Sequence, residues 1–171
     1  MDHFGFIHES RDIKILILFI LRRLPGFVDP ETLRELSQCD DGIGYFDYAE
    51  CLSQLVTGGN IEESEEGYRI TEKGARNADA VESSLPYSVR SKALKLIAPV
   101  EEQLRRAAMI TARHEVREDG CYVTLAMSDG KGEVLHLEFL CAGEEQAKRM
   151  EKHFRKDAEG YYQRIVALLE E

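Results

Sequence analysis

Residues 45–74 read YFDYAECLSQLVTGGNIEESEEGYRITEKG, and this stretch decides the fold. Tyr48, Leu52, Leu55 and Val56 recur near one face at helical spacing, and Gly58-Gly59 close the helix in the manner of a C-cap. Ile61 and Tyr68-Arg69-Ile70 then flank the acidic run Glu62-Glu63-Ser64-Glu65-Glu66-Gly67. That pattern predicts two short strands around a turn. Thr71-Glu72-Lys73-Gly74 opens a further helix, expected to run to about Ser83.

Working toward the N-terminus, Asp12 to Leu24 contains the run IKILILFILRRL, stopped by Pro25-Gly26. Apolar residues nearly all round predict a helix buried on more than one side, either central to a small bundle or part of a dimer interface. A second helix opens at Asp29, whose carboxylate can accept from free N–H groups, with Pro30 suited to the first helical position. Cys39 to Gly44 is a polar, glycine-containing turn. Three helices, a turn between the second and third, and then a hairpin make the winged variant of the helix-turn-helix.

LSQLVTGGNIEE followed by YRITEKG resembles the third-helix-and-wing signature shared by many winged-helix regulators. In those families the first stretch packs the third helix, and the second forms the returning wing strand and the next helix start. The order IKILILFIL, YFDYAECLSQLV, YRITEKG, Leu85-Pro86-Tyr87-Ser88-Val89-Arg90 and Gly143-Glu144-Glu145-Gln146-Ala147 extends the resemblance over nearly the whole chain. It is similar to a bacterial and archaeal family of small winged-helix proteins, a domain of unknown function presumed regulatory. The resemblance implies a transcriptional-regulator-like protein and assigns no catalytic residues.

Ser83-Ser84-Leu85-Pro86 suggests a boundary, which divides the chain into a winged helix over 1–83 and a second part over 84–171. A helix is expected from Ser88 to Leu104, interrupted or kinked near Pro99. Alternating apolar stretches follow at Ala108–Val116, Cys121–Met127 and Val134–Cys141. Glu118-Asp119-Gly120 and Ser128-Asp129-Gly130-Lys131-Gly132 separate them as turns, predicting a three-stranded antiparallel meander. Ala147, Met150, Phe154, Ala158, Tyr161, Ile165 and Leu168 predict one long helix, from about Glu144 to Leu169, covering the sheet. Glu144 and Glu145 in its first turn suit the positive end of its dipole. The fold class is α+β.

An apolar share of 43% and a charged share of 32% over 171 residues are those of a folded chain. The start, Met1 to Gly5, lacks the basic stretch and apolar core of a signal peptide, and Ile15–Leu21 is too short to span a membrane. Cys39, Cys51, Cys121 and Cys141 are scattered without a CxxC pair, which favours buried reduced thiols over disulfides. The expectation is a cytoplasmic protein with no membrane partner.

The outward face of the third helix would carry Tyr45, Asp47, Glu50, Gln54 and Thr57, with Arg69 on the returning strand. These are the candidate DNA-contacting residues, since a winged helix offers its third helix to the major groove. A carboxylate can accept from cytosine N4, but anchoring requires cations against the phosphates. The net charge of −10 opposes that, and it is unevenly placed. Residues 1–82 hold eight Lys and Arg against seventeen Asp and Glu, a net of −9, whereas 83–171 are near neutral. Arg90, Lys92, Lys95, Arg105, Arg106, Arg113 and Arg117, and Lys148, Arg149, Lys152, Arg155 and Lys156, form two locally basic stretches. They read as solvated helix faces paired with neighbouring acids, or as cations that a dimer turns toward DNA or toward another subunit's acidic wing.

Catalytic and metal signals are weak. His3, His8, His114, His136 and His153 form no HExxH pair, and His136 with Glu138 supplies only two groups on one strand face. No GxSxG, P-loop or GxGxxG is present. The sequence therefore predicts no enzyme, no cofactor and no metal. It predicts a dimeric DNA-binding regulator whose C-terminal sheet and long helix serve dimerisation or effector sensing, with the apolar first helix and the long last helix pointing to a dimer. The alternative is a winged helix whose acidic surface docks a basic protein partner.

Overall fold

In the computed structural model, which describes Ile7 and residues 9–170, the apolar run becomes α1 (Ser10–Leu21). Ile13 and every residue from Ile15 to Leu21 are buried. The helix is thus the central one of its bundle, and its apolar circumference is used up within the chain. α2 (Pro30–Ser37) begins where the Asp29 carboxylate accepts from the Thr32 N–H at 3.0 Å. α3 (Tyr45–Thr57) buries Tyr48, Cys51, Leu52 and Leu55. Val56, expected on the same face, is half-buried against this core.

β1 (Ile61–Ser64) and β2 (Gly67–Ile70) pair antiparallel, with Ile61 opposite Ile70 and Ser64 opposite Gly67. Val28, in the α1–α2 connection, bridges Tyr68, each N–H donating to the other's carbonyl at 2.8 Å. That contact requires glycine at 67: φ is +118°, and a Cβ there would meet the Val28 carbonyl oxygen at 2.1 Å. Gly74 answers a similar demand, because a Cβ would lie 2.1 Å from the Asn60 carbonyl oxygen. α4 (Glu72–Val81) is capped by the Thr71 hydroxyl, which accepts from the Gly74 N–H at 3.1 Å. A 3-10 turn over Glu82–Ser84 follows.

α5 (Tyr87–Ala108) runs through Pro99 without interruption, so of the expected break or kink the break is corrected. Pro99 is exposed, so the strain of its ring is relieved toward solvent rather than by ending the helix. Val89, Ala93 and Ile97 of α5 are buried in the same core as α1, with Val100 and Leu104 against it. The chain accordingly divides into two compact units between Leu104 and Arg105. The sequence boundary after residue 83 falls inside the first of these, because α5 packs its apolar stripe onto that core.

In the second unit β3 (Ile110–Arg117), β4 (Gly120–Ser128) and β5 (Glu133–Cys141) form the expected antiparallel meander in the order β3-β4-β5. Its inner face contributes Ala112, Cys121, Val123, Leu125 and Cys141 to a small core shared with Ala147 and Phe154 of α6 (Glu144–Lys156). The single long final helix of the sequence analysis is corrected to two, α6 and α7 (Ala158–Glu170). Asp157 leaves helical geometry at φ −149°, ψ 50°, and its carboxylate accepts from the Gly160 N–H at 3.2 Å, restarting the chain as a cap.

All four cysteines are unpaired; Cys51, Cys121 and Cys141 are buried and Cys39 is half-buried. No helix of the described residues is long and apolar enough to cross a membrane. His3 and His8 lie outside the described residues. Among those described, no group of three or more His, Cys, Asp and Glu could hold a metal ion. His136 pairs with Glu133 at 3.1 Å and Glu138 with Arg117 at 2.6 Å, so the two groups on one strand face turn to different partners.

Candidate functional site

The exposed surface of α3 and the hairpin form one region of the first unit. Burying Tyr48, Leu52 and Leu55 turns Asp47, Glu50, Gln54 and Thr57 outward, and all four are exposed. Gly44 at the N-cap gives α3 no side-chain cap, and Tyr45 and Phe46 follow in its first turn. Their rings meet edge-on at 5.6 Å, with 59% and 84% of their surfaces exposed. Phe46 escaped the sequence analysis because helical spacing alone does not show that an aromatic residue stands on the solvent side.

Hydrogen bonding narrows what this face offers. The Gln54 amide donates to the Glu50 carboxylate at 2.9 Å, so two of the candidate residues are tied to one another. On the hairpin, Glu62 faces Arg69 and bonds it at 2.6 Å, while Tyr68 donates to Glu63 at 3.0 Å. The Arg69 guanidinium also lies over the Phe27 ring, 4.4 Å from its centre. Alternation along β2 sets Arg69 and Tyr68 on opposite faces of the hairpin. The structure therefore brings Asp47, Glu50, Gln54 and Thr57 together on one face of α3, sets Tyr45 apart on the side of Tyr48 and Val56, and leaves Arg69 on the hairpin away from them.

Between α2, α3 and the hairpin lies an open groove of about 640 Å³, to which Arg34, Tyr45, Tyr48, Ser53, Glu63 and Tyr68 contribute. The Tyr48 hydroxyl and the Arg34 Nε are buried without a hydrogen-bond partner among the described residues. Burial pushes the Tyr48 phenol up, so it stays protonated at any physiological pH. Arg34 is also held by Glu31, 3.7 Å away in the preceding turn. Burial pushes the Cys39 thiol up to about 11, which keeps it protonated at neutral pH.

The locally basic stretches are partly committed as well. Arg117 bridges both Glu115 and Glu138, Lys148 pairs with Glu144 at 3.5 Å, and Arg155 donates to the Ala112 carbonyl. Arg105 and Arg106 each have an interaction partner.

Residues 13–169 match the model of a family described as a domain of unknown function (DUF4364), and the chain belongs to that family. No curated protein and no solved structure gives a significant match.

Proposed function

We propose that the first unit of this DUF4364-family chain is a winged helix used for protein docking. Its α3 face and hairpin would take a lysine- or arginine-rich segment of a partner protein. One observation carries the proposal: among the described residues, α3 and the hairpin hold acids and aromatic rings, and their one cation is already paired. α3 contains Asp47 and Glu50 but neither lysine nor arginine. The hairpin's one cation, Arg69, is bonded to Glu62 and stacked on Phe27. Glu62, Glu63, Glu65 and Glu66 are exposed around it.

Such a surface repels a phosphate backbone and attracts ammonium and guanidinium groups. Tyr45 and Phe46 add exposed ring faces, on which cationic side chains rest favourably. Replacing Asp47 and Glu50 together by lysine tests the assignment, with an arginine-rich peptide as ligand. Affinity should fall by about tenfold or more, as two attractive contacts become repulsive. Unchanged affinity would remove α3 from the docking surface.

A second function, specific duplex DNA binding by a dimeric regulator, is favoured by the order of helices and hairpin and by the outward placement of Gln54 and Thr57. It requires phosphate-anchoring cations supplied from elsewhere in an assembly. If that function holds, Gln54→Ala abolishes discrimination between an operator and mixed-sequence DNA. Indifference at Gln54 and at every other exposed α3 position would exclude it.

A further inference from the structure

The meander leaves β5 at an edge of its sheet, nine residues long and free of lysine and proline. β3, at the other edge, is overlaid by α6. Long uncovered edges present unpaired N–H and C=O groups, and native sheets cover or blunt them. β5 does neither. It also exposes Val134 (38%), Phe139 (41%) and Leu140 (64%), an apolar load unusual for a solvated strand.

The register shows which backbone groups point off this edge. Glu118-Asp119 is a two-residue hairpin loop closed by the Arg117–Gly120 pair, which makes that pair hydrogen-bonded. Alternation then directs the even-numbered residues of β4 to β3 and the odd-numbered ones to β5. Ser128 obeys this, its N–H donating to the Met109 carbonyl at 2.9 Å. On β5, residues 135, 137, 139 and 141 therefore bond β4. The main-chain groups of Val134, His136, Glu138 and Leu140 face outward.

We propose that a second copy of this chain covers this edge, its β5 pairing antiparallel with the first about a two-fold axis at Leu137. The sequence of β5 is self-complementary only in that register. Centred on Leu137, His136 lies opposite Glu138 of the second copy, and Val134 lies opposite its Leu140. Leu135 meets its Phe139 on the inner face. Moving the axis to Glu138 sets that carboxylate against itself. Moving it to His136 sets Val134 against a carboxylate and His136 against itself. A histidine can hydrogen-bond a carboxylate across the ladder, though here His136 would have to leave Glu133 and Glu138 to leave Arg117; apolar cross-strand pairs stabilise antiparallel ladders, whereas like charges oppose them.

The neighbouring helix adds area that a strand edge alone lacks. Tyr161 and Ile165 of α7 line a groove of about 180 Å³ with Leu137 and Phe139. Leu168, one turn further along the same stripe, is 69% exposed. Two copies would cover these residues and join the two meanders into one six-stranded sheet. This assembly does not depend on what α3 binds, and either proposal can fail without the other.

Cysteine cross-linking of the full chain tests it, beside light scattering of the wild type at micromolar concentration. Leu137→Cys should form a disulfide-linked dimer under mild oxidation, because opposed residues of a non-hydrogen-bonded pair lie within disulfide reach. The wild type, with its four native cysteines, should not. His136→Cys and Glu138→Cys should each stay uncross-linked alone and link to one another once mixed. Glu138→Lys should raise the dimer dissociation constant about tenfold, with two pairs lost per dimer. A monomeric wild type overturns the proposal, and so does a dimer in which Leu137→Cys fails to cross-link.

Discussion

At the scale of single residues, the glycines and caps of the signature stretch have physical causes. Gly67 is fixed by a positive φ and by the Val28 carbonyl, so Gly67→Ala must displace backbone rather than a flexible side chain. The expected cost is about 2–4 kcal/mol, read from denaturant unfolding; a change under half of that would mean the hairpin lies off the α1–α2 connection. Asp29 is the capping case. Hydrogen bonding to Thr32, side chain first and backbone second, holds its carboxyl below the usual aspartate value. A lowered folded value means that the stabilisation is complete at neutral pH. It declines as pH falls below about 4 and is gone once the folded value is passed. Asp29→Ala should therefore cost about 1 kcal/mol at pH 7 and less as pH falls below about 4 and the carboxyl takes up its proton, and a loss that does not shrink on acidification would refute the role of the carboxylate charge.

Elements were legible where a periodic run met a distinct stop signal. α3 and the hairpin follow from residues 45–74 because Gly58-Gly59, Gly67 and Thr71 mark their ends. The three strands follow from their alternation and their two turns. The two elements less legible in the sequence lacked such a signal or carried an ambiguous one. Asp157 breaks the C-terminal helix without glycine or proline at the break, and the apolar spacing continues across it, so sequence periodicity shows one helix where geometry makes two. Pro99 is a breaker by type, yet α5 tolerates it with its ring toward solvent. That tolerance has a measurable cost. Pro99→Ala restores an N–H to the Lys95 carbonyl and should stabilise the chain by about 1–3 kcal/mol in denaturant unfolding. Destabilisation would mean that Pro99 sets a bend on which the packing of Ile97 and Val100 depends.

At the scale of the whole molecule, charge is divided as the chain is divided. The acidic excess read from residues 1–82 lies in the unit that carries α3 and the hairpin, and the second unit is near neutral. The candidate α3 residues were legible because Tyr48, Leu52 and Leu55 fix which side faces out. The groove beside them, with its orphaned Tyr48 hydroxyl and Arg34 Nε, was not, since it depends on how three successive elements pack against one another. Nor could the sequence show that Arg69 is committed to Glu62, because a strand register is needed to set them opposite one another. The docking proposal is tested most directly by titrating the wild-type chain in parallel with mixed-sequence duplex DNA and with an arginine-rich peptide, from about 50 to about 200 mM salt. An acidic docking surface predicts peptide binding that weakens with salt and no DNA binding even at the low end. Salt-sensitive DNA binding with no affinity for the peptide would contradict it.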